Sequence, residues 1–496
     1  MTTGALILLL PLCPAVAVVG ALAGRSPRFA EAINLLASLC AFAVAIALVC
    51  RATPEPVIYG RSYIALDALG AWVILCAAIV YLLASIYAIG YMRMLGEDER
   101  LPGFYALFAG FALTIFVGPL MNNPGLYWIA IELTTLVSTF LVAFEHEASS
   151  IEAAWKYIVI VSAGISLALL GTVLFYWSGT FVNGPTYELT WAALVHLAPH
   201  ASQPIILLSF LLMLVGYGTK IGLAPMHTWL PDAHSESPAP VSALLSGALL
   251  NTAMLGVVRF LGVADAAGIG GICRVVMAAL GLLSILVGAL FIVRQRGIKR
   301  LMAYSSVEHM GVMALGFGFG GMLGIAGALY HMLNHSLNKS LMFFGAGNVM
   351  RVWQTKEIRD IRGVWLRFPA QAALWLAGAA AITGAPPFGL FQSELAILRA
   401  GIGRPGLSWA VYGMALLLIV IFVAFINQFR VMYLEPPNDV QKGSTPQEGG
   451  ASRLSVWCVA PMWLALLPLL LFGLWWPDAF WHYFRAIAAA LPGTAS

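Results

Sequence analysis

Long, nearly uncharged apolar runs alternate along the chain with short segments that hold most of its arginines and lysines. The first run, "GALILLLPLCPAVAVVGALAG" at residues 4–24, is apolar on every side. Its length suits a hydrocarbon layer of ~30 Å, which a helix crosses in about 20 residues. Further runs begin near residues 29, 64, 101, 125, 154, 203, 238, 269, 301, 322, 370, 407 and 455, which makes about 14 in all. They are continuous rather than alternating, which excludes a closed β-barrel of short dyad-repeat strands. The pattern predicts an all-α polytopic membrane protein. Only three residues precede the first run, with no basic stretch, so it is expected to be a retained helix rather than a cleaved leader.

An even number of spans puts both termini on one side. The loop lysines and arginines fall into two alternating sets of 17 and 7, counted from the sequence. The larger set includes Arg25, Arg93, Lys156, Arg300, Lys356, Lys442 and Arg453, and the positive-inside rule makes it cytoplasmic, with both termini outside. One stretch, "EPPNDVQKGSTPQEGGASR" at 435–453, reads as a flexible cytoplasmic loop. The expected divisions are 1–100, 101–265, 266–434, 435–454 and 455–496, with no soluble domain of any size.

Composition agrees: 61% of residues are hydrophobic and 10% charged, where a soluble protein carries roughly 25% charged residues. The net charge of +4 comes from the loops and implies no nucleic-acid partner. Six cysteines lie in or beside apolar runs without a CxxC pair, so they are expected to pack rather than to ligate zinc or an iron–sulfur cluster. No nucleotide-binding glycine motif and no metal-ligand cluster stand out by spacing, so neither cofactor nor metal is expected in this chain. The segment "FGFGGMLGIAG" at 317–327 reads as close helix packing.

Against this background a few ionisable residues lie deep inside spans. An isolated one costs about 2.5–3.5 kcal/mol at a helix centre, and such residues mark ion or proton routes by default. Glu132 stands in "LYWIAIELTTLVSTF", the fifth span, with Thr134, Thr135 and Ser138 near it. Lys220 stands in "LLMLVGYGTKIGLAPMHTWLPDAHSESPAP", followed by Gly222 and Pro225. Proline removes a donor and glycine loosens the turn, so the seventh helix is expected to break beside the lysine, freeing carbonyls to hydrate a cation or hold water. Burial disfavours a charged amine and a nearby carboxylate favours it, a balance suited to gaining and losing a proton. In "GALYHMLNHSLNKSLMFFGAG", His331, His335 and Lys339 are spaced i, i+4, i+8, one helical face rising roughly 12 Å. Two imidazoles and an amine in a stripe suit proton hopping.

Span twelve, "AITGAPPFGLFQSELAI", repeats the theme of the seventh: Gly384, Pro386 and Pro387 interrupt it before Glu394. Two Gly/Pro-broken spans five apart point to an inverted repeat, spans 4–8 and 9–13, whose odd number of helices reverses the second copy. Span ten, "IKRLMAYSSVEHMGVMALG", brings Glu308 and His309. Glu308 is either a second carboxylate in the route or a partner of Lys299 or Arg300 at the cytoplasmic mouth.

The stretches "GTKIGLAPMHTWLPDAHSESPAPVSALLSGALLNTA", "IKRLMAYSSVEHMG", "HMLNHSLNKSLMFF" and "GAPPFGLFQSE" resemble the antiporter-like, proton-translocating membrane subunits of respiratory complex I, membrane-bound hydrogenases and multi-subunit Na+/H+ antiporters. "SSVEHMG" with "LLNTA" is most similar to the hydrogenase-4 component F type within that family. The resemblance implies 14 helices in two inverted repeats and a polar axis at the membrane midplane. It implies a bacterial inner-membrane location, other antiporter-like and membrane subunits as partners, and control of Lys220 by Glu132. His331, His335, Lys339 and Glu394 would continue the route outward, with His227, His309 and Glu308 possible members. Related subunits often carry a histidine or lysine in the eighth span, where this chain has Ser246 and Asn251, so the central link is expected to need water held by these side chains. The largest relatives carry a long lateral helix after the last span, and none is expected here.

The leading expectation is a proton-translocating subunit of a redox-driven complex. The alternative is a subunit of a Na+/H+ antiporter without a redox partner. A solute carrier or passive anchor leaves ionisable residues spread over five spans unexplained.

Overall fold

Backbone polar groups have no water to bond in hydrocarbon, so an apolar run satisfies them internally as a helix. A computed structural model of the protein describes residues 2–24, 26–96, 98–435 and 454–492. All but the first residue of the expected 435–453 loop therefore lies outside the described residues, as do Arg25, Lys442 and Arg453. The helices are α1 (Thr3–Gly24), α2 (Pro27–Val49), α3 (Ala68–Arg93), α4 (Leu101–Val117), α5 (Pro124–Val142), α6 (Ala148–Asn183), α7 (Gln203–Ile221), α8 (Trp229–Glu236) and α9 (Ala239–Ala266). They continue as α10 (Gly270–Val293), α11 (Ile298–Phe319), α12 (Gly321–Trp353), α13 (Pro369–Ile382), α14 (Gly389–Ile402), α15 (Ser408–Leu434), α16 (Val456–Leu474) and α17 (Asp478–Ala490), with a few short turns between.

Among the described residues, 11 helices are long and apolar enough to cross a membrane. Helices α11 and α12 are as long but carry buried polar side chains, and α13 and α14 are the halves of an interrupted segment. The all-α polytopic expectation holds, with local differences. The third run begins as a strand: Ile64–Leu66 pairs antiparallel with Val57–Tyr59, and α3 starts only at Ala68. Asp67 caps it by accepting from the Gly70 N–H at 2.7 Å. Helix α6 starts earlier than its apolar run and extends over 36 residues. After the last apolar run, α17 folds back so that Phe480 and Phe484 meet the ring of buried Trp72 edge-on at 5.3 and 4.7 Å.

Apolar side chains gain little by leaving lipid, so helices associate through close packing at small residues. A Cβ at Gly216 of α7 would lie 2.5 Å from the Ala168 nitrogen of α6, and one at Gly311 of α11 would lie 2.5 Å from the Gly281 carbonyl of α10. The ion pairs sort by end. Asp232 takes both Lys156 and Arg300, Arg351 meets Glu145, Lys356 meets Glu236 and Glu147, and Arg93 meets Glu31, all members of the arginine- and lysine-rich end. Burial works against the Lys356 ammonium, but the bond to Glu236 prevails and raises its pKa. The other end holds Arg259–Asp67 and Arg274–Asp265. No ion pair among the described residues joins the two sets.

Candidate functional site

Helix α7 ends one residue after Lys220, because Gly222 adopts the left-handed conformation (φ 82°) that terminates helices. The amide of Gly222 and that of Leu223 both return to the Gly218 carbonyl at 2.9 Å. Trp229 of α8 donates its indole N–H to the Thr219 carbonyl at 2.7 Å, and Ser284 of α10 takes the Ala224 amide at 2.9 Å. The helix thus breaks where expected, and the Gly218 and Thr219 carbonyls at the break are met by backbone amides and the Trp229 indole. The break leaves Lys220 in a last helical turn, whose partial negative charge favours an ammonium.

The Lys220 side chain is fully buried. Its Nζ donates to Thr135 Oγ1 of α5 at 2.8 Å and to Tyr157 OH of α6 at 2.9 Å, and it lies 5.1 Å from the Tyr157 ring centroid. Tyr157 OH in turn shares a 2.7 Å bond with Ser138 Oγ. Glu132, one turn before Thr135, does not pair with the lysine. Its Oε1 accepts the Ser162 hydroxyl at 2.6 Å, while Oε2 is buried without a partner. Thr135 and Tyr157 are therefore the lysine's direct partners.

Between the two ends of the array lies α8. His234 is fully buried, its ring stacks 5.1 Å from Phe343, and neither ring nitrogen has a partner. Lys299, expected in a cytoplasmic loop, is instead buried in the first turn of α11, donating to the carbonyls of Ser235 and Ser237. Helix α9 contains a π-turn over Leu245–Leu249, a register change that frees carbonyls. The Gly247 carbonyl accepts from Asn251 Nδ2 at 2.9 Å and from Ser336 Oγ at 2.7 Å, and the Ser246 carbonyl meets His335 Nε2 at 3.3 Å. Ser246 Oγ bonds Ser306 Oγ at 2.7 Å, and Asn251 Nδ2 also reaches Ser336 Oγ at 2.9 Å.

On α12, His331, His335 and Lys339 share one helix and are fully buried. Lys339 Nζ donates to the Met302 carbonyl at 3.1 Å and to Ser305 Oγ. His309 of α11 joins the two histidines: its Nδ1 lies 3.0 Å from His331 Nε2, and its ring centroid is 5.4 Å from that of His335. Glu308 is buried with both carboxyl oxygens unpartnered and Oε2 at 3.8 Å from His309 Nε2. It contacts neither Lys299, held by backbone carbonyls, nor Arg300, held by Asp232. The cytoplasmic-mouth pairing is thereby excluded.

Residues 122–426 match the family described as "NADH:quinone oxidoreductase/Mrp antiporter, TM". The chain is 39% identical over 319 residues to the hydrogenase-4 component F homolog of Methylacidiphilum infernorum, covering 64% of this chain and 67% of that protein. It is 32% identical over 426 residues to NADH-quinone oxidoreductase subunit N of Desulforudis audaxviator, covering 82% and 80%. This chain belongs to that family. Its fold matches a chain of the Mrp complex from Dietzia sp. DQ12-45-1b with a TM-score of 0.87 at 19% identity, over 100% of this chain and 98% of that one.

In this antiporter-like subunit the fold gathers His309, His331, His335, Glu308 and Glu394, and it places Ser246 and Asn251 against α11 and α12. His227 stands apart in the α7–α8 connection, beside the rings of Phe291 and Tyr304, with Nδ1 unpartnered. The sequence pattern does not single out Tyr157 and His234. A tyrosine among apolar residues and a histidine beside Pro231 and Asp232 look like packing and loop, and only their depth of burial distinguishes them. Nor does spacing along the chain reveal a metal-ligand cluster. The fold assembles one from three helices, with ligand atoms of His309, His331 and Glu394 within 4.8 Å of one another.

Proposed function

We propose that this antiporter-like subunit carries protons along the buried array Glu132, Lys220, His234, Lys339, His335, His331, His309 and Glu394, as one membrane subunit of a redox-driven complex. The observation that carries the reading is Lys220: fully buried, with two hydroxyls rather than a carboxylate as its hydrogen-bond partners. Hydroxyls accept from an ammonium and donate to a neutral amine, so the same cage holds either protonation state. A permanent buried charge would instead call for a counter-ion. The named relatives of 39% and 32% identity are a hydrogenase-4 component and an NADH-quinone oxidoreductase subunit, which supports the redox-driven setting.

In this reading the membrane is a bacterial inner membrane. The end bearing Lys156, Arg300, Arg351 and Lys356 is cytoplasmic, and the termini face outward. Fourteen spans form two inverted five-helix units, each built around a broken helix, α7–α8 and α13–α14. Ser246, Asn251 and His234 bridge the units, and other antiporter-like subunits lie alongside. The test is the parent complex in proteoliposomes with Lys220→Ala. Redox turnover persists in part while acidification of the lumen is lost. Undiminished acidification would refute the assignment of Lys220.

A further inference from the structure

We infer that His309, His331 and Glu394 form a zinc-class divalent-cation site within this subunit. The facing nitrogens, Nδ1 of His309 and Nε2 of His331, are 3.0 Å apart, and zinc bound at ~2.0–2.1 Å in a tetrahedron sets ligands roughly 3.3 Å apart. A shift of a few tenths of an ångström suits this pair, and the Glu394 carboxylate, whose ligand atom lies within 4.8 Å of both, closes by up to about 1.5 Å.

The outer nitrogens are already held: His309 Nε2 at 3.1 Å from the Ile382 carbonyl and His331 Nδ1 at 2.9 Å from Ser393 Oγ. Metal-bound histidines use such outer partners to fix ring orientation, here leaving the inner nitrogens for the ion. Glu394 is 5% exposed and its Oε1 has no hydrogen-bond partner. Gly384 leaves the space that this carboxylate occupies, because a Cβ there would fall 2.1 Å from Oε2.

Two imidazoles and one carboxylate suit zinc, whereas sodium, magnesium and calcium prefer all-oxygen sets. Three protein ligands leave a fourth position for water. The unpartnered carboxyl of Glu308, 3.8 Å from His309, offsets the charge that one carboxylate leaves on a divalent ion. Bound there, zinc ties α11, α12 and α14 together and occupies the nitrogens through which His309 and His331 meet. Under the proton-path reading this blocks transport.

The test uses the purified full chain in detergent, carrying an affinity tag without histidine, loaded with zinc chloride and desalted. Elemental analysis is expected to find one zinc per chain in the native protein and none in His331→Ala or Glu394→Gln. Ser393→Ala, which keeps all three ligands, is expected to bind about 10–100-fold more weakly. Cobalt loading of the native protein is expected to give the visible absorption of tetrahedral coordination, a signature independent of how any variant folds. His227→Ala is expected to bind as the native chain does. No stoichiometric zinc in the native chain, or binding unchanged in both His331→Ala and Glu394→Gln, would overturn the site. One bound zinc with undiminished transport in the reconstituted complex would overturn the block and leave the site standing.

Discussion

The Lys220 cage depends on how closely α6 lies against α7, and one methyl group tests that dependence. Gly164 of α6 faces Thr219, the residue before the lysine, and a Cβ there would stand 2.5 Å from the Thr219 Cβ. Ordinary contact between carbons needs about 3.5 Å, so Gly164→Ala drives the last turn of α7 away by about 1 Å. Such overpacking costs about 1–3 kcal/mol of stability. The same displacement stretches the Lys220 bonds to Tyr157 and Thr135, now 2.9 and 2.8 Å, beyond hydrogen-bond length.

Each bond to a charged group is worth about 1.5–3 kcal/mol, so transport should fall roughly tenfold or more. Gly171→Ala is the matched control. Its Cβ would meet Met213 Cγ at 2.6 Å and the Ser209 carbonyl at 2.8 Å, the same kind of clash on the same helix pair, but about 10 Å further along the axis. Both variants should melt lower by tryptophan fluorescence, and only Gly164→Ala should lose most of the acidification in proteoliposomes of the parent complex. Equal loss in the two, or full transport in a destabilised Gly164→Ala, would refute the link between helix spacing and the lysine cage.

Asn251→Leu removes an amide that bonds Gly247 and Ser336 but also an unpartnered buried acceptor, so stability should change by no more than about 1 kcal/mol. Transport in the same proteoliposomes should nevertheless fall, and an unchanged rate would remove Asn251 from the central link. Arg259→Met breaks a two-bond pairing with Asp67 at 2.8 and 3.0 Å and should lower stability by about 1–3 kcal/mol, read as a drop in melting temperature. Transport per folded molecule should not change, because Arg259 lies away from the buried array.

Most helices were legible because continuous apolar runs leave the backbone one solution in lipid. The α3 entry was not: Ile64–Leu66 is as apolar as the helix behind it, and only its strand partner at Val57–Tyr59 reveals the extended conformation. In the site, spacing along one helix was readable, so the His331–His335–Lys339 stripe could be drawn from the sequence. Meetings between helices could not. His309, His331 and Glu394 come from α11, α12 and α14, and nothing in their separation along the chain brings them together. Lys299 and Arg300 show the limit within a single turn. They are neighbours in a basic segment, yet a step of about 100° sends Lys299 inward to the Ser235 and Ser237 carbonyls and Arg300 outward to Asp232.

The interruptions in the helices explain how distant parts of the array come to be joined. A regular helix spends one lone pair of each carbonyl on itself, so a neighbour meets mostly side chains, with exceptions such as the Met302 carbonyl that Lys339 reaches. Where the ladder is broken, carbonyls become available, and in this fold several are met by side chains of the array. The break after α13 gives the Ile382 carbonyl to His309, and the π-turn of α9 gives the carbonyls of Ser246 and Gly247 to His335 and Ser336. At the end of α8, Ser235 and Ser237 give theirs to Lys299. His309, His335 and Lys299 are thus set by backbone, and Lys220 by hydroxyls, rather than by counter-ions. A carbonyl carries no net charge, so it can fix a side chain in place without committing it to one protonation state, a property that a route for charge requires and a set of buried salt bridges lacks.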